Sequence, residues 1–286
     1  MTITLGTATP GGGFPLYGAA LIEALREVDP SLVIEPRNTK GSTENVPLLE
    51  AGKLDIALVQ GEVAQPALAG NLRILAAMYS TAGLFVLRDD NPARRIGDLR
   101  GKPVAFGARG SGLVLLARTV LDGLGLDPER DFQAIYLDRA GDGPAMVLDG
   151  RAAALWGGGI GWPGFAAVAN GPTGARFIAP DAAEIAHILG RHAFLRPMTV
   201  PAGSYPGQTD PIDSVGSWSF ILTRPDLPDE TAYRLARALH QGEAALARRL
   251  PQAAETTAAN TLAAAPRPDL VHPGVLRYLR EAGLTH

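Results

Sequence analysis

The side chains able to do chemistry in this chain are few, and most sit in glycine-rich loops. Gly107-Ala108-Arg109-Gly110-Ser111-Gly112 has the order G-x-x-G-x-G, whereas a dinucleotide loop needs G-x-G-x-x-G. Ser111 lies outside the G-x-S-x-G frame of a nucleophile elbow. No Gly-Lys-Ser/Thr phosphate loop occurs. His187 and His192 are five residues apart, which on a helix turns them to different faces; a zinc-protease pair needs a spacing of four. His240, His272 and His286 have no carboxylate at catalytic spacing and read as surface or capping residues. The chain has no cysteine, so disulfides, thiolate metal sites and cysteine nucleophiles are excluded. The expectation is a protein without catalytic residues, metal or cofactor.

Binding chemistry has more to work with. Residues 6–18, Gly-Thr-Ala-Thr-Pro-Gly-Gly-Gly-Phe-Pro-Leu-Tyr-Gly, link a strand pattern to a helix pattern. Glycine lets backbone N–H groups approach a ligand there, and a helix N-terminus favours a negative group. Thr7, Thr9, Gly12, Gly13, Phe14 and Tyr17 are the candidates on this loop, against the plainer reading of a flexible turn. A second loop, Asn38-Thr39-Lys40-Gly41-Ser42-Thr43-Glu44-Asn45, offers Gly41 and Ser42. Ser42 either caps the following helix or presents its hydroxyl to a ligand. Pro47 requires a late helix start, which would move the cap to Glu44 or Asn45. The third loop, 107–112, brings Arg109 and Ser111. Arg109 either clamps a carboxylate with its guanidinium fork or is a solvated surface charge.

These loops need elements that hold them. The chain has 286 residues, of which 46% are hydrophobic, ample material for one large domain or two of ordinary size. A net charge of -3 and scattered arginines give no field for a polyanion, so nucleic acid is not an expected partner. No apolar run approaches the ~20 residues of a membrane-spanning helix. Strand patterns at 3–5, 32–34, 56–59 and 72–78 alternate with helical spacing at 17–28, up to 51, and at 63–69. A second round follows, with strands near 84–87, 104–106, 134–137, 153–156 and 177–179 and helices near 113–121, 145–148, 165–169 and 182–189. Residues 196–213 have the proline- and glycine-rich composition of a boundary or hinge. A strand at 215–222 and helices at 229–250 and 275–281 complete the chain.

Two β/α rounds predict two α/β lobes, and the final strand and helix need the first lobe's sheet to join. The expected division is 1–86 plus 214–286 for the first lobe and 87–213 for the second. Two crossover segments would then join the lobes as a hinge, with ligand in the cleft between them. All three loops would lie at the carboxyl ends of parallel strands, where open α/β sheets bind ligands.

The same loops resemble the TAXI family (TRAP-associated extracytoplasmic immunogenic proteins) among NMT1/TAXI-like periplasmic binding proteins. Residues 7–18 are similar to the family's T-G-x-x-G-G-x-[YF]-x-P-x-G opening, and 39–45 to its T-x-G-S-x-E-N segment. Asp55-Ile56-Ala57-Leu58-Val59-Gln60 resembles D-[IL]-A-[IL]-x-Q. Leu99-Arg100-Gly101-Lys102-Pro103-Val104 and Gly110-Ser111-Gly112 resemble L-x-G-K-x-V and G-S-G-T. Residues 201–208 are similar to P-A-G-x-Y-x-G, and 272–278 to the terminal H-P-G-A-x-x-Y.

The resemblance implies a type II periplasmic-binding-protein-like fold and a small-molecule ligand. It also implies a periplasmic location and the membrane permease of a TRAP transporter as partner. Because Met1 runs almost at once into a strand pattern, export would mean that a signal peptide has been removed from this chain. Relatives are associated with acidic amino acids or 2-oxo acids, and Gln60 and Tyr79 join the candidate ligand residues by position. This chain departs from the pattern at Glu62, at Leu113, at Arg109 and after Tyr79, where Ser80-Thr81-Ala82 replaces an acidic residue. The implied solute is a small carboxylate-bearing molecule, with Trp156 and Trp162 as either an aromatic wall or core packing. An enzyme on the same fold, such as the pyrimidine-precursor synthase of thiamine biosynthesis, fits poorly without its cysteine motif. The third reading is the ligand-sensing domain of a regulator.

Overall fold

In the computed structural model, which describes residues 2–285, the chain divides into two compact units. One holds the residues up to Ala8, Phe14–Tyr79 and those from Trp218 onward; the other holds Thr9–Gly13 and Ser80–Ser217. The exchanges fall after Tyr79 and after Ser217, rather than at the 86/87 and 213/214 positions read from the sequence. His286 lies outside the described residues.

The first unit opens as strand–helix repeats: β1 (Thr2–Gly6), α1 (Gly13–Val28), β2 (Val33–Arg37), α2 (Ser42–Glu50), β3 (Ile56–Val59) and α3 (Gly61–Ala69). The three strands pair in parallel in the order β2-β1-β3. β3 is buried at every position and wholly apolar, as a strand covered on both faces must be. α1 turns Tyr17, Leu21 and Leu25 inward at helical spacing. α2 corrects the expected late start: it begins at Ser42 and carries Pro47 inside. A proline there removes only its own N–H, and the turn closes beyond it with Ala51 N donating to Pro47 O at 3.0 Å.

Next comes β4 (Arg73–Arg88), a single strand where the sequence suggested two. Ser80 and Thr81 break the apolar pattern, yet Thr81 is buried and the strand runs on past it. The second unit continues with β5 (Pro103–Ala108), α4 (Gly112–Gly123), α5 (Pro128–Asp131), β6 (Gln133–Leu137), α6 (Gly143–Leu148) and β7 (Ala154–Gly158). Then come α7 (Pro163–Ala169), β8 (Ala175–Ile178), α8 (Ala182–Arg191), β9 (Arg196–Val200) and β10 (Ile212–Thr223). β5 pairs in parallel with both β6 and β7, while β7 and β8 run antiparallel to β4. The stretch read as a hinge is partly β9, paired antiparallel with β10 from Arg196 to Val200. Its proline at 197 is tolerable at an edge position, which hid the strand from pattern reading.

β10 ends in the first unit, antiparallel to β3. α9 (Asp229–Arg249), α10 (Ala258–Ala264) and α11 (Pro273–Glu281) then cover that unit's sheet, burying Leu235, Leu246, Val275 and Leu279. His272 locks α11 in place. It is fully buried, its N–H donates to Ile74 O at 2.9 Å, and its Nδ1 accepts from Gly274 N at 3.2 Å. That acceptor role requires the neutral ring. Burial holds the imidazole below its ordinary pKa; the Asp229 carboxylate at 3.8 Å opposes this and Arg73 reinforces it.

The consequence is a pH dependence of known sign. The unfolded chain takes up a proton at position 272 near pH 6.5, whereas the folded chain does not until lower pH. Stability from this residue is therefore complete above about pH 6.5 and lost as pH falls below it, by at most about 1.4 kcal/mol per pH unit. The lowered carboxylates Asp29, Asp90 and Asp122 act at more acidic pH. Denaturant unfolding at pH 7.5 and 5.5 should show this slope, and His272→Asn should flatten it. An unchanged slope in the variant would rule out this residue as its source.

Candidate functional site

In the first unit, each of the three parallel strands ends in a loop that opens a helix. The carboxyl edge of that sheet is held by one amide. Asn45 is completely buried, and its Nδ2 donates to Thr7 O at 2.7 Å and to Leu58 O at 2.8 Å. Its Oδ1 accepts from the Thr39 hydroxyl at 2.8 Å. The side chain thus ties the ends of β1 and β3 to the loop after β2. Sequence reading treated Asn45 as a possible helix cap, because asparagine near a helix start usually is one.

The other loop residues divide between scaffold and open chemistry. The Thr7 hydroxyl donates to Arg37 O at 3.1 Å, so it works for the scaffold. Gly41 has φ 113°, a value that excludes a side chain, and it is the cap residue of α2. Ser42 makes no cap bond; its Oγ accepts from Gln60 N at 3.0 Å. Glu44 accepts from Lys40 N, completing the turn. Phe14 is half-buried against the core. Tyr17 and Tyr79 are core residues, edge to face at 5.5 Å, with the Tyr17 hydroxyl on Thr256 and both phenols raised in pKa by burial.

Gln60 is different. It precedes α3 and is only 4% exposed, yet its side chain makes no cap bond and its Nε2 has no hydrogen-bond partner. Buried amide groups are almost always paired, so an unpaired one calls for an explanation, and Gln60 shares this state with Gln252, both of whose side-chain polar atoms are buried without partners. Gln60 lies beside Ser42 and the first turns of α2 and α3, whose leading N–H groups have no partner within the helix.

The second unit repeats the arrangement at the ends of β5, β6 and β7. Ser111 caps α4, accepting from Leu113 N at 3.1 Å, which settles its cap role. Arg109 is exposed, has no carboxylate partner among the described residues, and sits with its guanidinium 5.7 Å from the Tyr136 ring centroid. Tyr136 is itself anchored by Arg118 and Glu129, and burial with the Glu129 bond pushes its phenol up to about 12. Arg109 is thus a pre-positioned cation. Within the same unit, Ala140 N donates to Thr9 Oγ1 at 3.3 Å, and the Gly11 backbone meets that of Gly141 so closely that a Cβ at Gly11 would lie 2.7 Å from the Gly141 Cα. Gly12 N donates to Thr9 O at 3.2 Å, and Gly13 is the first residue of α1.

Both tryptophans of the candidate wall are packing residues. Trp156 has no exposed surface, donates from Nε1 to Leu113 O at 2.9 Å and lies against Phe85. Trp162 is 5% exposed and rests on Gly157 and Gly164, where any Cβ would lie 2.4 Å from its ring. The loop it starts is pinned by Tyr205, whose hydroxyl bonds Gly159 O and accepts from Trp162 N. Sequence reading quoted Tyr205 only within a motif, since nothing local signals a contact 43 residues away. Among the described residues, no group of three or more His, Cys, Asp or Glu side chains could hold a metal ion, and no helix is long and apolar enough to cross a membrane.

Comparison with known proteins places this geometry. The model of the NMT1-like family matches residues 5–283, nearly the whole chain. The chain belongs to the NMT1-like family. Its fold is similar to that of the alkanesulfonate-binding protein SsuA from Xanthomonas axonopodis pv. citri bound to MOPS, at 19% identity and a TM-score of 0.55. That match covers 98% of this chain and 83% of the other. A putative L-cystine ABC transporter protein from Listeria monocytogenes matches at 15% identity over 90% of this chain and 98% of that one, with a TM-score of 0.55. A mutant of OxyR from Corynebacterium glutamicum matches at 14% identity over 87% of this chain and 67% of that one, with a TM-score of 0.54. At these identities the likeness is one of fold: this NMT1-like protein has the two-lobed α/β architecture of periplasmic binding proteins.

Proposed function

We propose that this NMT1-like protein is the extracytoplasmic solute-binding receptor of a transporter, capturing a small carboxylate-bearing solute by lobe closure. The observation that carries the proposal is Gln60: a buried amide donor without a partner, at the carboxyl edge of a parallel sheet and beside two helix N-termini. Donors converging on one place suit an anionic oxygen. Fold similarity to an alkanesulfonate-binding protein and to a putative L-cystine ABC transporter supports the receptor role. The resemblance of the loops to TAXI proteins supports a periplasmic location and a TRAP-type permease as partner. No residue is assigned a catalytic role.

A thermal-shift panel of dicarboxylates, 2-oxo acids, amino acids and aromatic acids tests the reading. An acid at ~100 times its Kd adds about 2.7 kcal/mol, a shift of several degrees. A flat panel on protein shown by mass spectrometry to carry no ligand would overturn it. Arg109 is proposed to meet the solute's anionic group. Arg109→Ala should then weaken the binding acid more than tenfold by calorimetry, and unchanged affinity would remove Arg109 from the site.

A further inference from the structure

β10 enters the first unit as Trp218-Ser219-Phe220-Ile221-Leu222, and within it one polar residue is wholly enclosed. Ser219 has no exposed surface, and its Oγ has no hydrogen-bond partner. The antiparallel register pairs Phe220 with Val59 and Ile221 with Leu58. The paired register ends there, and continuing it by one step would set Ser219 opposite Gln60, which follows β3 in extended backbone and whose Nε2 is also buried without a partner. Directly opposed residues on antiparallel strands place their side chains on the same face of the sheet.

Packing alone does not account for serine at this position. The next three residues, Phe220, Ile221 and Leu222, are buried and apolar, and an alanine would fill the site without an orphaned hydroxyl. Ser217, two residues earlier on the strand, is likewise buried with an unpartnered hydroxyl; Ser219 is singled out because the extended register sets it opposite the unpaired Gln60 amide. We infer that Ser219 is a ligand-contacting residue, its hydroxyl and the Gln60 amide donating together to one acceptor oxygen of the solute; this rests on the receptor reading above. An amide nitrogen can only donate, so the shared partner must be an oxygen acceptor, carboxylate or carbonyl, and not an ammonium group. The Ser42 hydroxyl, which accepts from Gln60 N at 3.0 Å, adjoins the same residue.

The inference makes two separable predictions, because a hydroxyl kept for a ligand does nothing for the unliganded protein. Ser219→Ala should leave the melting temperature of ligand-free protein unchanged or raised, whereas removing a structural hydrogen bond would lower it. The same variant should bind at least tenfold more weakly to whichever of succinate, glutarate, 2-oxoglutarate and glutamate shifts the unaltered protein. Gln60→Ala should do likewise, and the double variant should lose less than the product of the two, since both groups hold one atom. A lowered melting temperature for ligand-free Ser219→Ala overturns the inference whatever binds. Equal shifts in the variant and the unaltered protein overturn it while the receptor reading stands. No shift in unaltered, ligand-free protein brings down both.

Discussion

Replacing Asn45 with alanine should cost this protein about 3 kcal/mol or more and abolish solute binding together with it. The Asn45 amide joins Thr7 O, Leu58 O and the Thr39 hydroxyl, and it is completely enclosed; the Thr39 hydroxyl also reaches Thr7 O directly, at 3.2 Å. Alanine would take the amide from Leu58 O, at about 1–3 kcal/mol, leave Thr7 O with the Thr39 hydroxyl alone, and open an enclosed gap that adds to the loss. A change of that size lowers the melting temperature by roughly 6–12 °C in a domain of 150–250 residues. Asn45→Asp sharpens the test because it keeps the volume. Its carboxylate cannot donate, so at neutral pH it should be at least as damaging as alanine. Calorimetric melting of the three proteins decides the matter. A loss under 1 kcal/mol in both variants would mean that water replaces the amide easily and that the edge is not held by Asn45.

A second large effect is expected at Gly216. A Cβ there would lie 1.7 Å from Thr81 O and 2.9 Å from Met198 Sδ. The first obstacle is backbone, so no side-chain rotation relieves it, and β10 must move away from β4 within the second unit. The adjacent Ser214 hydroxyl, which donates to Gly83 O at 2.6 Å, would be pulled from its partner. Gly216→Ala should therefore reach or exceed the upper end of the about 1–3 kcal/mol usual for overpacking. Gly190, in α8 with open space where its Cβ would be, is the control. Gly190→Ala should be neutral or stabilising by up to about 1 kcal/mol, because alanine favours the helix. Equal behaviour of the two variants in denaturant unfolding would show that the strands separate without cost.

What is written locally in these loops is backbone freedom and capping. Gly41 stands in a strand-to-helix loop, and its φ of 113° is one that glycine adopts without strain. Ser111, offered by the sequence as a ligand residue, stands just before a helical run and makes the cap that position favours. Gln60 followed an unbroken buried strand, and that strand's apolar run was plain. What remained hidden depends on partners distant in sequence. For Trp156 and Trp162 the sequence leaves wall and core packing both open, and their packing on Gly83, Gly157 and Gly164 decides for packing. Polar residues at 80 and 81 disguised β4, because burial between neighbouring strands, not hydrophobicity, holds that stretch extended.

By itself, then, the sequence determined the alternation of strands and helices and the glycine loops at the strands' carboxyl ends. Period, capping and backbone freedom are properties of neighbouring residues, and they are written within a few positions. Only the tertiary structure decided which polar groups are occupied and which are open. Thr7, Ser111 and Asn45 proved to be bonded to the scaffold, while the Gln60 amide nitrogen and the Ser219 hydroxyl are buried without partners. Hydrogen-bond satisfaction is settled by register between strands far apart in the chain, and no window of sequence contains it.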